Sequence, residues 1–375
     1  MWIWIRNVSR LTAKELRSLL GDVPLMALIF FAFTAAIYTT AKGVKAEVAN
    51  ASVGWIDGDR SDLSYRLRDA IRPPYFKPPV DITNEEADPA MDRGDLIFVI
   101  DIPPRFEADV LAGRTPAIQV RVDATAMTQA GLGVLYLNEI FLQELLDFFH
   151  QRGLESMLPS QASIHLLFNP NNQSHWFTSV MLIVTNVTVL SIILVGAAVI
   201  REREHGTIEH LLVMPIRPSE IAMGKILANG GVIFFASLLA LWLVIHRALQ
   251  VPLNGSIALF ALGTALYLFA VTSLGVLLAT AAASMPQFGL LAAPVYVVLY
   301  LLSGAATPVE SMPIAIQDFV QISPTTQFVK LTQAVLYRGA GIDIVWPQLV
   351  SVAVAGAIFL ALALHRFRSM LARQG

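Results

Sequence analysis

The sequence predicts an α-helical polytopic membrane protein: six transmembrane helices, with an α/β domain inserted between helices 1 and 2. Three observations predict it. Hydrophobic residues make up 55% of the chain and charged residues only 14%, against about 25% charged in soluble domains. The apolar residues gather into runs, several of them near the ~20 residues a helix needs to cross a bilayer. Between the first and second runs, residues 42–174 regain charges, prolines and turn signals. The formal net charge is −2, so bulk charge implies no nucleic-acid partner. Cysteine is absent, which removes disulfides, thiol nucleophiles and cysteine metal sites.

Residues 1–22 predict an amphipathic helix at the membrane surface. Arg6, Arg10, Lys14 and Arg17 form a basic face, with Ile5, Val8, Leu16, Leu19 and Leu20 on much of the other side. That pattern suits an anionic headgroup layer; the plainer alternative is a positive flank of the first span. Residues 23–41 form that span. A cleaved signal is the competing reading, but the basic region before it is long for one.

In residues 42–174, strands are expected at 52–56, 96–102 and 118–122. Helices are expected after Ser61, from Pro104 to Gly113, and from Met127 to His150. The alternation predicts a small, partly parallel sheet. Asp57 and Asp59 in WIDGDRS invite comparison with an Asp-x-Asp phosphatase nucleophile, but Asp-Gly favours a turn, and the turn is the preferred reading. Asp57, Asp101 and Asp123 fall near carboxyl ends of strands, a weak ligand-site signal. His150, His165 and His175 lack metal-ligand spacing, and no metal site is expected.

The second span covers residues 175–200, a charged segment 201–225, and four more apolar runs lie within 226–364. The fifth, 288–302, is short for a straight span. In the connector 304–341, Pro308, Pro313 and Pro324 mark out two short helices, and Phe328, Leu331 and Val335 give the second an apolar stripe. Re-entrant helices fit this composition where protein covers them. Gly304, Pro308, Glu310, Pro313 and Phe328 are the candidate outer-gate residues. Lys and Arg concentrate in the N-terminal flank, in 201–225 and in the tail 365–375, so both termini are expected in the cytoplasm and 42–174 outside.

Residues 201–225 read REREHGTIEHLLVMPIRPSEIAMGK. Ile208, Leu211 and Leu212 share one helical stripe, Glu202, His205 and Glu209 crowd the opposite side, and Pro215 stops the helix. Ser219 is expected to cap the next one. The segment predicts a rigid knob that fits a partner's groove. A helix that only lies on lipid is the alternative, but one would expect it to be more basic.

Glu202-Arg203-Glu204, Gly206-Thr207, Glu209, Leu211-Leu212, Pro215 and Gly224-Lys225 together resemble the cytoplasmic coupling segment of ABC-2 type exporter permeases. RSLLGD at 17–22, DVLAGR at 109–114, LSG ending at Gly304, ESMP at 310–313 and LYRGAG at 336–341 extend the similarity, more narrowly to YhhJ-type inner-membrane permeases. The resemblance implies a separate ABC ATPase that holds ATP and Mg, a second permease half (homo- or heterodimer), and a periplasmic membrane-fusion adaptor. It implies a re-entrant outer connector and a place in the bacterial inner membrane. Arg201, Glu202, Arg203, Glu204, Gly206, Thr207, Ile208, Glu209, His210, Leu211, Leu212 and Pro215 are then the ATPase-coupling residues.

The chain has no G-x-x-x-x-G-K-[ST] loop to cradle ATP phosphates, so it is expected to bind no nucleotide cofactor and to be no enzyme. The expected spans carry no Asp, Glu, Lys or Arg. Proton- and sodium-coupled carriers usually need such groups, which argues against secondary transport. Thr185, Asn186, Thr188, Asn229, Thr264, Thr272 and Ser273 are expected to hydrogen-bond between helices, with a weakly polar substrate path as the alternative. The alternative function is a membrane-anchored receptor or sensor whose α/β domain binds a ligand. It does not explain six spans.

Overall fold

The computed structural model describes residues 2–43, 50–123, 127–152, 174–204, 216–307 and 309–372. The chain divides into two compact units: Met1–Gly43 with Trp176–Gly375, and Val44–His175.

In chain order, α1 is Trp2–Gly21. Asp22 accepts from the Leu25 N–H at 3.2 Å and caps α2, Val23–Phe33, after which α3 is Ala35–Gly43. The inserted unit holds β1 (Val53–Asp57), α4 (Asp62–Ala70), β2 (Val80–Asp81), α5 (Asn84–Asp92), β3 (Phe98–Ile102), α6 (Phe106–Leu111), β4 (Gln119–Val122) and α7 (Met127–Gln151). The helical unit resumes with α8, Ser174–Glu204, and α9, Pro218–Ala240, which continues as π-helix through Leu241–Ala248. Then come α10 (Ile257–Ala281), α11 (Met285–Leu301), α12 (Ile314–Val320), α13 (Pro324–Leu336) and α14 (Ile342–Ala372).

Among the described residues, five helical stretches are long and apolar enough to cross a membrane: Val23–Gly43, His175–Glu204, Pro218–Ala248, Ile257–Ala281 and Ile342–Phe367. The chain is a mostly helical, multi-pass membrane protein. The remaining expected span, 288–302, corresponds to α11, which is apolar but has 17 residues. At ~1.5 Å per residue it falls short of a ~30 Å hydrocarbon core. The prolines do divide the connector into two short helices, α12 and α13.

The helices mesh through glycine. A Cβ on Gly196 of α8 would lie 1.9 Å from the Phe288 ring of α11, and one on Gly356 of α14 would lie 2.7 Å from the Phe269 ring of α10. Without side chains these positions let neighbours close in, the usual device where lipid offers no hydrophobic drive between helices. The polar core residues split in a way the sequence reading misses. Asn186 does bond across helices, to the Ala32 carbonyl at 2.6 Å, and Thr188 reaches the Tyr267 hydroxyl at 2.7 Å. Asn229, Thr264 and Thr272 instead turn back to the carbonyl four residues earlier in their own helices. A short side chain on a helix reaches that carbonyl more readily than a neighbouring helix.

The inserted unit is a four-stranded sheet in the order β2-β1-β3-β4. β1 pairs in parallel with β2 and β3, while β4 runs antiparallel to β3, so the sheet is partly parallel as the alternation predicts. Trp55, Phe76, Phe98 and Phe148 are fully buried in its core, which closes without a disulfide. β2 and α5 escape the sequence reading. β2 has two residues, both exposed, and Pro89 interrupts the α5 pattern. A local signal existed: Thr83 and Glu86 form a capping box.

Candidate functional site

Gly206, Thr207, Ile208, Glu209, His210, Leu211, Leu212 and Pro215 lie outside the described residues. Both flanks are described. Arg201 to Glu204 end α8, and Arg217 to Lys225 open α9.

Four successive helical residues point in four directions, because each advances ~100° around the axis. Here each direction has its own partner. Arg201 pairs with Asp22 at 3.4 Å. Glu202 receives Lys14 and Lys225, each at 2.9 Å. Arg203 donates to the Ala282 carbonyl at 2.6 Å. Glu204 accepts the Met285 backbone N–H at 2.8 Å. The charged end of α8 thus ties together α1, the α1–α2 corner, α9 and the α10–α11 turn.

Lys225 is the centre of this junction. Its side chain is 2% exposed. Glu202 at 2.9 Å and Glu15 at 3.2 Å balance its charge, and the Ala198 carbonyl at 3.1 Å accepts a further hydrogen bond. An unpaired ammonium so placed would cost several kcal/mol, which is why two carboxylates converge on it. Lys14 stands at the rim, also 3.5 Å from Glu15. Burial works against its charge, but the hydrogen bond and charge of Glu202, with those of Glu15, hold its pKa above the ordinary lysine value. A cavity of about 190 Å³ adjoins the cluster, lined in part by Lys14, Glu15, Asp22, Arg201 and Glu202.

α1 lies directly along α9. A Cβ on Gly224 would sit 2.8 Å from the Leu11 Cβ. The Trp4 indole donates to Ser219 at 3.3 Å, and Asn7 donates to Glu220 at 3.3 Å. Ser219 is therefore not the helix cap the sequence suggests. The cap position is Arg217, because Pro218, with its φ already helical, starts the helix and puts Ser219 inside the first turn. Of the basic face of α1, Arg6, Arg10 and Arg17 are exposed and make no ion pair among the described residues. Lys14 faces the junction instead. Sequence reasoning missed Glu15, Asp22 and the burial of Lys225. The available signal was a lone lysine set in the apolar run AMGKILANG.

The uncharged counterpart involves the connector. Phe328 is fully buried and stacks on Tyr267 with ring centres 4.2 Å apart. The Tyr267 hydroxyl donates to Thr325 at 3.0 Å and meets Thr188 at 2.7 Å. Tyr337 donates to the Trp176 carbonyl at 2.8 Å. Gly304 has φ +86°, a left-handed turn that glycine tolerates. Pro313 stands at the N-terminal cap of α12. Pro308 lies outside the described residues, and of Glu310 only the backbone is described. Phe328 is thus a packed core ring.

In the inserted unit, Asp57 accepts from the N–H groups of Asp59 at 3.0 Å and Arg60 at 2.7 Å, and from Ser64 at 2.9 Å. Asp59 accepts from the Glu107 N–H at 2.9 Å, and Glu107 from the Leu63 N–H at 3.1 Å. These carboxylates hold a turn and two helix starts, as the turn reading expects. No cluster of metal-ligating side chains occurs among the described residues.

Long apolar helices joined by a charged, partnered junction define a polytopic membrane protein. The chain belongs to the ABC-2 family of transporter proteins, whose family model matches residues 23–365. It is 48% identical over 364 residues to the inner membrane transport permease YhhJ of Escherichia coli (strain K12), covering 97% of each chain. Against the probable multidrug ABC transporter permease YbhR of the same strain, identity is 28% over 371 residues, covering 96% of this chain and 97% of the other. Against the probable multidrug ABC transporter permease YbhS, also of that strain, it is 26% over 350 residues and 89% of each.

Proposed function

We propose that this chain is the membrane-spanning subunit of an ATP-driven exporter. It sits in the bacterial inner membrane with six spans, both termini in the cytoplasm and the α/β unit outside. ATP and Mg belong to a separate ABC ATPase, and a second permease half completes the path. One observation carries the reading. The Arg201–Glu204 flank and buried Lys225 brace both sides of residues 205–215, between two long apolar helices. A bare loop needs no such bracing; a segment that transmits force does. The receptor reading is not favoured, because the relatives are transport permeases.

The test is to co-express the chain with its proposed ABC ATPase partner. Glu209→Lys inverts a charge expected to meet a basic group on the partner, a loss of about 2–5 kcal/mol for a buried interfacial pair. ATPase co-purification should fall by more than tenfold at equal membrane abundance. Gly206→Pro should act likewise. Undiminished co-purification and transport in both variants would remove the coupling role from this segment.

A further inference from the structure

We propose that Arg203 and Glu204 are positioning residues that clasp the base of α11 to the end of α8. Whatever displaces residues 205–215 then moves α11. The inference rests on the coupling reading above.

The clasp is built where α11 lacks a cap of its own. Ser284 occupies the N-cap position, yet its side chain makes no capping hydrogen bond. The first free N–H of the helix, on Met285, is instead taken by Glu204 of α8 at 2.8 Å. Free N–H groups at a helix start favour a carboxylate both as hydrogen-bond donors and through the helix dipole. Arg203 holds the other side of the same turn, the Ala282 carbonyl at 2.6 Å. Ala282 is the C-cap of α10 and has extended backbone, so its carbonyl is free to leave the helical ladder. One turn of α8 therefore grips the acceptor that ends α10 and the donor that begins α11.

Packing joins the same two helices just beyond. Phe288 is 1% exposed and seats its ring in the space that a side chain on Gly196 would fill. Beside this contact the attachment is open on one side, where Met285 and Phe288 themselves line a cleft. This apolar cleft of about 240 Å³ lies beside α8 and α11, lined in part by Val189, Ile193, Gly289, Ala292 and Tyr296. Pro294 interrupts the hydrogen-bond ladder of α11. The outer face of the helix carries Leu290 at 76% exposure and Val298 at 52%. A helix gripped at its base, with a cleft beside it and a proline in its middle, swings from the base.

The absence of cysteine makes the test clean. Leu290→Cys on α11 and Phe235→Cys on α9 are both exposed and each accepts a spin label. Each labelled chain is reconstituted with its ATPase in lipid nanodiscs, and the spectral change between nucleotide-free and ATP-trapped states is recorded. With the clasp intact, both labels should respond. In Arg203→Leu/Glu204→Leu the Leu290 response should fall at least twofold while the Phe235 response persists. Glu204→Gln, which keeps an acceptor oxygen, should restore it. If the double variant does not accumulate, Glu204→Leu alone carries the same comparison. An unchanged Leu290 response in the variant, with Phe235 responding, overturns the clasp and leaves coupling intact. If neither label responds in the parent, the coupling reading itself falls, and the clasp with it.

Discussion

The two halves of α8 hold the helical unit together by opposite chemistry. Its last turn uses charge: Arg201, Glu202, Arg203 and Glu204 all have partners, and the charge of Lys225 is balanced by two carboxylates. In its first half the ties seen among the described residues include neutral ones: the Thr188 and Tyr267 hydroxyls, Asn186 on a carbonyl, and the Trp176 carbonyl receiving Tyr337. The difference teaches where each kind of tie can be made. A charge removed from water demands a partner and cannot slip without one, so an ionic junction is stiff and directional. A hydroxyl on a helix retains its own carbonyl four residues back when a neighbour moves away, so a neutral junction can break and reform cheaply. Stiffness lies beside the proposed ATPase segment, and compliance lies beside the connector.

Breaking the ionic end should have the largest effect. Lys225→Met leaves Glu15 and Glu202 with the half-exposed Lys14 in place of their buried counter-charge, and losing one member of a buried ionic cluster costs about 3–5 kcal/mol. The variant in detergent should unfold at markedly lower temperature, and adding Glu15→Leu should recover part of the loss. No loss in the single variant would mean that the cluster is not under tension. The neutral end should be milder. Tyr267→Phe keeps the stack on Phe328 and leaves Thr188 bonded to the Val184 carbonyl. It should cost about 0.5–1.5 kcal/mol by the same thermal measurement, the net value of one hydrogen bond. A cost equal to that of Lys225→Met would erase the contrast.

The smallest effect belongs to Lys14, whose side chain is 56% exposed. Its pKa is raised on folding, so its contribution is fully present below the ordinary lysine value of 10.5 and fades as pH climbs through the raised one. Lys14→Met should lose at most ~1 kcal/mol at neutral pH, as exposed pairs do. The difference from the parent should shrink on the alkaline side only. No shrinkage there would remove the charge contribution assigned to Lys14.

Much of this architecture was legible beforehand because it follows from local patterns. Apolar runs mark spans, Ser61 marks a helix start and the alternation at 118–122 marks a strand, since each depends on neighbours in sequence. Ser219 shows the limit. It has the right residue type for a cap, but a proline one position earlier had already begun the helix. Phe328 shows another: its place in an apolar stripe said that it is buried, not that Tyr267 stacks on it.

The sequence by itself determined the membrane class, the division into a helical and an α/β unit, and the absence of a G-x-x-x-x-G-K-[ST] motif, because composition, periodicity and motifs act along the chain. It also marked residues 201–225 as the charged exception between two spans. Only the tertiary structure decided what those charges do. Glu15, Glu202 and Lys225 are far apart in sequence, and no local rule says that they share one buried site. Their pairing follows from the approach of α1 to α9, which Gly224 permits, and from the cost of leaving Lys225 without a counter-charge once that approach has excluded water.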